Sequence, residues 1–302
     1  MTKILLSTNT NAALARTISR KTGIRFAPCA VGSYPDKEVS VRIGEPVEGK
    51  DVFVVGSTFP PAEHALALFI LIDTARLHGA RSINVVIPYF AYAKSDRIDL
   101  PGSSVSAGAM ADLLAAAGAS RVVAVGLHSA YDADVFHIPL VEVSAMPILA
   151  EAFKALHVRN CAVVSPDEGG VHRAKEFAAA IGAPDIITVA KIRKSPREVR
   201  VARITGEVRG KNVVLVDDMV QSGDTLMKAM KALRKEGARD VYVAVAHAVQ
   251  TGQGFKRLLR AREVKRVIVA DTIPFSRGAP AKVIVASVAG VIADVLTGEP
   301  FA

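Results

Sequence analysis

The sequence predicts an α/β fold of two similar domains, each a mostly parallel sheet flanked by helices. Three observations predict it. Short β-branched runs alternate with amphipathic helical segments along the whole chain, the pattern of parallel strands joined by crossover helices. Val213-Val214-Leu215-Val216 is apolar at four consecutive positions, as a strand buried on both faces requires. The order of strands and helices before about Ser144 is echoed after it, so the domains are set at 1–145 and 146–302, with the last helix free to pack across the boundary.

In chain order, Met1 to Ser7 reads as an opening strand, with no apolar segment or cleavage site of a signal peptide behind it. Tyr34-Pro35-Asp36-Lys37-Glu38 reads as a turn before the alternating strand Val39, Val41, Ile43. Strands are expected at 51–55, 83–87, 122–125, 161–164, 199–204, 213–216, 241–245, 267–270 and 283–285. Leu66, Phe69, Ile70, Asp73 and Leu77 fall at helical spacing within 62–78, and helices are likewise expected over 106–117, 144–156 and 171–181. Another helix runs through Leu226, Ala229, Met230 and Leu233 to a stop at Gly237, and a packing helix closes the chain from Ser287 to Leu296.

Composition excludes several function classes. The longest apolar run, Ala65 to Ile72, is far short of the roughly 20 residues of a membrane span, which predicts a soluble protein. Cys29 and Cys161 form neither a disulfide framework nor a metal spacing and fit the cytoplasm. The net charge of +9 invites nucleic acid, but aromatics make up 5% and Trp is absent, so stacking platforms are lacking; small polyanions suit the charge better. There is no Gly-Lys-Ser/Thr phosphate loop, no HExxH and no GxGxxG after a strand.

The chemistry concentrates after Val216. Asp217 and Asp218 follow the strand, Ser222-Gly223 make a tight bend, and Thr225 is expected to cap the helix. Unpaired N–H groups at a helix start make Gln221 to Thr225 a phosphate cradle. Asp217, Asp218 and Asp224 suit a bare phosphate poorly but become useful when the ligand also carries hydroxyls or a divalent cation, and a sugar phosphate meets both demands.

Val216-Asp217-Asp218 with Ser222-Gly223-Asp224-Thr225 resembles the phosphoribosyl-pyrophosphate (PRPP) loop of type I phosphoribosyltransferases and of ribose-phosphate pyrophosphokinases. Gln221-Ser222 is similar to the plant-type subclass of the latter. Pro88 to Arg97 resembles that family's ATP segment, with Lys94 and Ser95 where Arg and Gln are usual, followed by Asp96 and Arg97. Tyr34, Asp36 and Glu38 match a loop that holds adenine from a neighbouring subunit. Gly126-Leu127-His128 is similar to an Asp-Leu-His magnesium motif that here has Gly126 for the Asp. Ser165-Pro166-Asp167 before Gly169-Gly170 resembles a segment that places Asp167 near magnesium or pyrophosphate. Lys191 and Arg193, in the basic stretch from Lys191 to Arg209, match the Lys-x-Arg of a mobile catalytic loop.

The resemblance implies transfer of a diphosphoryl group from magnesium–ATP to ribose 5-phosphate, giving PRPP and AMP, in a homo-oligomer, dimer or hexamer. It implies two phosphoribosyltransferase-like domains, the first on the ATP side and the second with the PRPP loop. Lys191 and Arg193 are then catalytic. Asp217, Asp218, Gln221, Ser222, Gly223, Asp224 and Thr225 bind ribose 5-phosphate, Tyr34, Asp36, Glu38, Lys94, Ser95, Asp96 and Arg97 bind ATP, and His128 and Asp167 hold Mg2+. Two readings stay beside it: a non-catalytic regulatory homologue, for which Gly126, Lys94 and Ser95 speak, and a PRPP-consuming phosphoribosyltransferase.

Overall fold

A computed structural model describes residues 2–98, 100–129, 134–183, 186–195, 198–250 and 253–298, with side chains described outside 191–202. It divides into two compact units, one of Met1–Val143, Thr272–Pro274 and Ser287–Ala302, the other of Ser144–Asp271 and Phe275–Ala286.

The first unit begins with β1 (Lys3–Ser7), α1 (Ala12–Thr22), β2 (Arg25–Phe26), β3 (Cys29–Ser33), β4 (Val39–Ile43) and β5 (Asp51–Val55). It continues with α2 (Glu63–Leu77), β6 (Ser82–Ile87), α3 (Ser106–Ala117), β7 (Arg121–Val125) and β8 (Leu140–Val143). Its six-stranded sheet has the order β2-β1-β5-β6-β7-β8, parallel throughout, while β3 and β4 form a separate antiparallel hairpin. The chain winds from β1 to β2 in one direction and from β5 onward in the other. The switch point, where ligands bind in such sheets, therefore lies between β1 and β5.

Side chains lace that switch point together. The Ser57 amide donates to Asn11 Oδ1 at 2.8 Å and Thr10 Oγ1 at 3.0 Å, and the Tyr89 amide donates to Ser57 Oγ at 3.0 Å. The loops leaving β1, β5 and β6 thus share one buried polar network. Helix α1 was not foreseen because only Leu14, Ala15 and Ile18 of its residues are buried, and the remainder is mostly polar. It ends at Gly23, whose φ of 72° only glycine adopts readily.

The second unit contains α4 (Met146–Lys154), β9 (Cys161–Ser165), α5 (Val171–Ile181), β10 (Ile186–Ser195), β11 (Glu198–Ile204), β12 (Asn212–Val220) and α6 (Asp224–Lys235). After these come β13 (Val241–Ala248), α7 (Gly254–Arg260), β14 (Val264–Ala270) and β15 (Val283–Ala286). The closing helix α8 (Ala289–Thr297) belongs to the first unit, packed on α1.

The second sheet has the order β11-β10-β9-β12-β13-β14-β15, parallel except for the β10–β11 pair. Its switch point lies between β9 and β12. Val213, Val214, Leu215 and Val216 are each 0% exposed, so the central strand is covered on both faces, as its composition requires. The stretch expected as a loop around Lys191 is instead the end of β10, paired antiparallel to β11 with irregular register at Ala190/Lys191 and Arg193/Ser195. Among the described residues no helix is long and apolar enough to cross a membrane.

Candidate active site

In the second unit β12 runs through both acids to Val220, four residues beyond the expected end at Val216. Strand β9 pairs with β12 only as far as Leu215, whereas β13 follows it to Val220. Asp217 and Asp218 thus sit where β12 has lost one neighbour, in the crevice that opens as β9 and β12 part.

Asp218 is 3% exposed, and its Oδ1 accepts the Met219 amide at 2.7 Å. Asp217 Oδ1 accepts the Asp218 amide at 2.9 Å. Burial, and next the negative charge of Asp218, push the Asp217 carboxyl up to about 8. Two adjacent carboxylates in this crevice therefore keep a proton through neutral pH until a ligand or cation shares their charge.

Asp167 enters from the loop after β9. Its Oδ1 accepts the Gly170 amide at 3.2 Å, and Ser165 Oγ donates to its carbonyl at 2.6 Å. The backbone of Gly170 borders both acids: a Cβ there would stand 3.9 Å from Asp167 Oδ1 and 3.9 Å from Asp217 Oδ1. Asp167 and Asp217 thus converge on one crevice.

Arg173 and His172, on the first turn of α5, were missed by the sequence reading. Arg173 is 8% exposed and its positive charge pulls the Asp217 carboxyl down, opposing burial. Its Nη1 lies 3.2 Å from His172 Nε2. Burial, then the Arg173 charge, lowers the His172 pKa, while Asp218 is among the groups raising it. The available signal was an arginine on the inward face of a helix opened by paired glycines.

After Val220 the chain turns through Gln221 and Ser222 to Gly223, with φ of 72°, and α6 starts at Asp224. The helix N-cap is Gly223, without a side-chain cap, so Thr225 lies inside the helix and not at its cap. The physical reason is the left-handed turn, which only glycine makes cheaply and which starts the helix two residues early. The Asp224 amide donates to Ser222 Oγ at 3.3 Å, and the Asp224 carboxylate meets Arg257 Nη1 of α7 at 2.9 Å. Lys191 and Arg193 have backbones opposite Val201 and Val199 of β11; their side chains lie outside the described residues.

In the first unit, Tyr34 to Glu38 connects β3 to β4. The Tyr34 amide donates to the Glu38 carbonyl at 2.8 Å and the Glu38 amide to Asp36 Oδ1 at 3.1 Å, leaving Tyr34 57% exposed. After β6, Tyr89, Phe90, Ala91 and Ala93 are buried while Lys94 and Arg97 are exposed. Ser95 ties this segment to α3: its Oγ donates to the Ser104 carbonyl at 2.7 Å and accepts the Ser106 amide at 3.3 Å. Asp96 Oδ2 accepts from Ser129 Oγ at 2.5 Å, which joins the segment to the loop carrying His128.

That loop contains Gly126, with φ of 55°, in place of an expected carboxylate. A carboxylate reaches it from elsewhere, since Glu142 Oε1 of β8 accepts the Leu127 amide at 2.9 Å. Sequence reading had no route to Glu142, fifteen residues on in a strand that was not foreseen.

Among the described residues no three or more His, Cys, Asp or Glu side chains form a cluster placed to hold a metal.

Known proteins resemble this chain in both sequence and fold. Residues 3–118 match the N-terminal domain of ribose phosphate pyrophosphokinase, and residues 133–282 a phosphoribosyl transferase domain. The ribose-phosphate pyrophosphokinase of Bacillus caldolyticus is 36% identical over 295 residues, covering 97% of this chain and 93% of that protein. The one from Caldanaerobacter subterraneus subsp. tengcongensis is 40% identical over 268 residues, 88% of this chain and 84% of its own. The crystal structure of phosphoribosylpyrophosphate synthetase from Mycobacterium smegmatis superposes with a TM-score of 0.88 at 28% identity, covering 98% of both chains. With its paired α/β units, its acid pair at a sheet switch point and relatives matched over nearly their full lengths, this chain belongs to the ribose-phosphate pyrophosphokinase family.

Proposed function

We propose that this enzyme transfers the diphosphoryl group of magnesium–ATP to the anomeric hydroxyl of ribose 5-phosphate, releasing PRPP and AMP. The hydroxyl oxygen forms a bond to the β-phosphorus while the bond from that phosphorus to the α-phosphate bridging oxygen breaks; AMP leaves with the electron pair, and the hydroxyl proton passes to solvent.

One observation carries the reading. Asp217 and Asp218 lie near the end of a central strand beside the sheet's switch point, and a helix start opened by Gly223, five residues after Asp218, follows. Ribose hydroxyls donate to the carboxylates, and amides of 221–225 donate to the 5-phosphate. The proton that burial holds on Asp217 is lost when hydroxyls and cationic groups enter the crevice. Lys191 and Arg193 stabilise charge on the moving diphosphoryl group. The exposed Lys94 and Arg97, with Asp96, bind the nucleotide, and Ser95 holds that segment to α3. Tyr34, Asp36 and Glu38 serve the nucleotide of a neighbouring copy in a homo-oligomer, dimer or hexamer, in the cytoplasm. His128 on the first unit and Asp167 on the second would each hold magnesium on its own unit; when bound, it neutralises phosphate charge.

The test is AMP release on mixing ATP, Mg2+ and ribose 5-phosphate, with each omitted in turn. Release independent of ribose 5-phosphate would overturn the acceptor assignment, and light scattering of the purified protein checks the oligomer.

A further inference from the structure

The candidate phosphate cradle contains a contradiction. Asp224 is the first residue of α6, so its carboxylate sits where the helix N-terminus concentrates positive potential. A carboxylate there stabilises an empty helix and repels the phosphate the same turn is to bind. The carboxylate is not left to itself. Arg257 Nη1 stands 2.9 Å from Asp224 Oδ1, and this pairing is the first cause of the lowered Asp224 pKa.

Arg257 reaches it because of Gly254. Helix α7 starts at Gly254 directly against the bend, and a Cβ there would fall 2.0 Å from the Gln221 carbonyl oxygen and 2.5 Å from that of Ser222. No other residue fits without moving the loop. From the opposite side, a Cβ on Gly223 would lie 3.1 Å from the Gly254 carbonyl oxygen. The bend and α7 are thus in backbone contact, and Arg257, three residues along α7, is carried over the first turn of α6. Phe255 and Leu258, 4% and 0% exposed, anchor α7 on the core side.

We propose that Arg257 is a positioning residue for the ribose 5-phosphate site, holding and neutralising Asp224 so that the first turn of α6 accepts a phosphate dianion. The inference rests on the reading of 221–225 as that site. Arg257 acts through Asp224 and not on the sugar phosphate, so its loss matters only while Asp224 carries a charge. That dependence separates it from a residue that contacts ligand and from one that merely supports the fold.

The test is calorimetric titration of ribose 5-phosphate into wild type, Arg257→Ala, Arg257→Lys, Asp224→Asn and the double variant Arg257→Ala/Asp224→Asn, with thermal melting and kcat at saturating ribose 5-phosphate for each. Freeing one like charge beside the ligand raises Kd about tenfold in Arg257→Ala, with kcat within about twofold of wild type. Arg257→Lys returns to within about threefold of wild type, because charge is restored, and the double variant binds several-fold more tightly than Arg257→Ala, because no carboxylate is left to neutralise. A double variant as weak as Arg257→Ala, or an Arg257→Ala that binds like wild type, overturns the inference while leaving the site in place. Wild type that fails to bind ribose 5-phosphate overturns the site reading itself.

Discussion

The Gly170 amide donates to Oδ1 of Asp167 at 3.2 Å, which closes the loop after β9 at a point where a Cβ on Gly170 would stand 3.9 Å from Asp217 Oδ1 of β12. Gly170 has φ of −85°, which any residue adopts, so only space demands glycine here. A Cβ would stand 3.0 Å from Ser165 Oγ, tighter than ordinary contact, and would enter the crevice shared by Asp167 and Asp217. Gly170→Ala is expected to lower kcat/KM about tenfold with a fall in Tm of no more than about 4 °C, and Gly170→Val to lose far more of both. Steady-state kinetics with differential scanning calorimetry check this; equal activity for Gly170→Ala would show that the crevice is not where reactants meet.

Asp217 predicts a pH-dependent stability. Its folded pKa, raised to about 8, lies above the usual carboxylate value, so the folded protein holds a proton that the unfolded chain has released. The contribution is fully present below about pH 4 and is lost as pH rises through about 8. Asp217→Asn removes the cost of burying a charge and, next, the repulsion with Asp218, so ligand-free Asp217→Asn melts above wild type by a margin that grows from pH 5 to about pH 9. A margin that shrinks with pH would mean the proton sits elsewhere. Ribose 5-phosphate affinity of the same variant falls, because one hydroxyl acceptor loses its charge.

Glu142 predicts a compensation. Its carboxylate accepts the Leu127 amide beside His128, where Gly126 supplies none. Glu142→Gln keeps an acceptor and is expected to raise KM for magnesium–ATP about threefold, whereas Glu142→Ala raises it about tenfold. Rates measured against Mg2+ at fixed ATP provide the readout, and wild-type behaviour of both variants removes Glu142 from the nucleotide side.

Lys191 separates binding from chemistry. Lys191→Ala is expected to lower kcat by about 100-fold or more, the usual loss when one group stabilising developing charge is removed, with ribose 5-phosphate Kd within about twofold of wild type. Single-turnover AMP formation and calorimetry distinguish the two, and a change confined to Kd would take Lys191 out of the chemical step.

Most of the layered architecture was legible because parallel strands buried on both faces read as short apolar runs, and Val122–Val125 and Val213–Val216 behave so. Elements with weaker apolar signals were not: β8 presents Val143 as its one buried residue, and α7 is a short helix with two large buried side chains behind a polar, glycine-containing approach. The end of β12 was misread because polarity at Asp217 looks like the end of a strand, whereas pairing to β13 continues regardless of side chain. Thr225 was misread as the cap because cap preference is a local rule and the left-handed Gly223 overrode it.

The sequence by itself determined the α/β class, the acid pair with its glycine bend, and the family whose motifs these are, because each is written in adjacent residues. Only the tertiary structure decided that Asp167 and Asp217 both border Gly170, that Arg173 and His172 border the acids, that Glu142 reaches the His128 loop and that Arg257 covers Asp224. Most of these pairings join residues far apart in the chain and depend on strand order and register, and the Arg257 pairing depends also on the backbone contact at Gly254, none of which local sequence encodes.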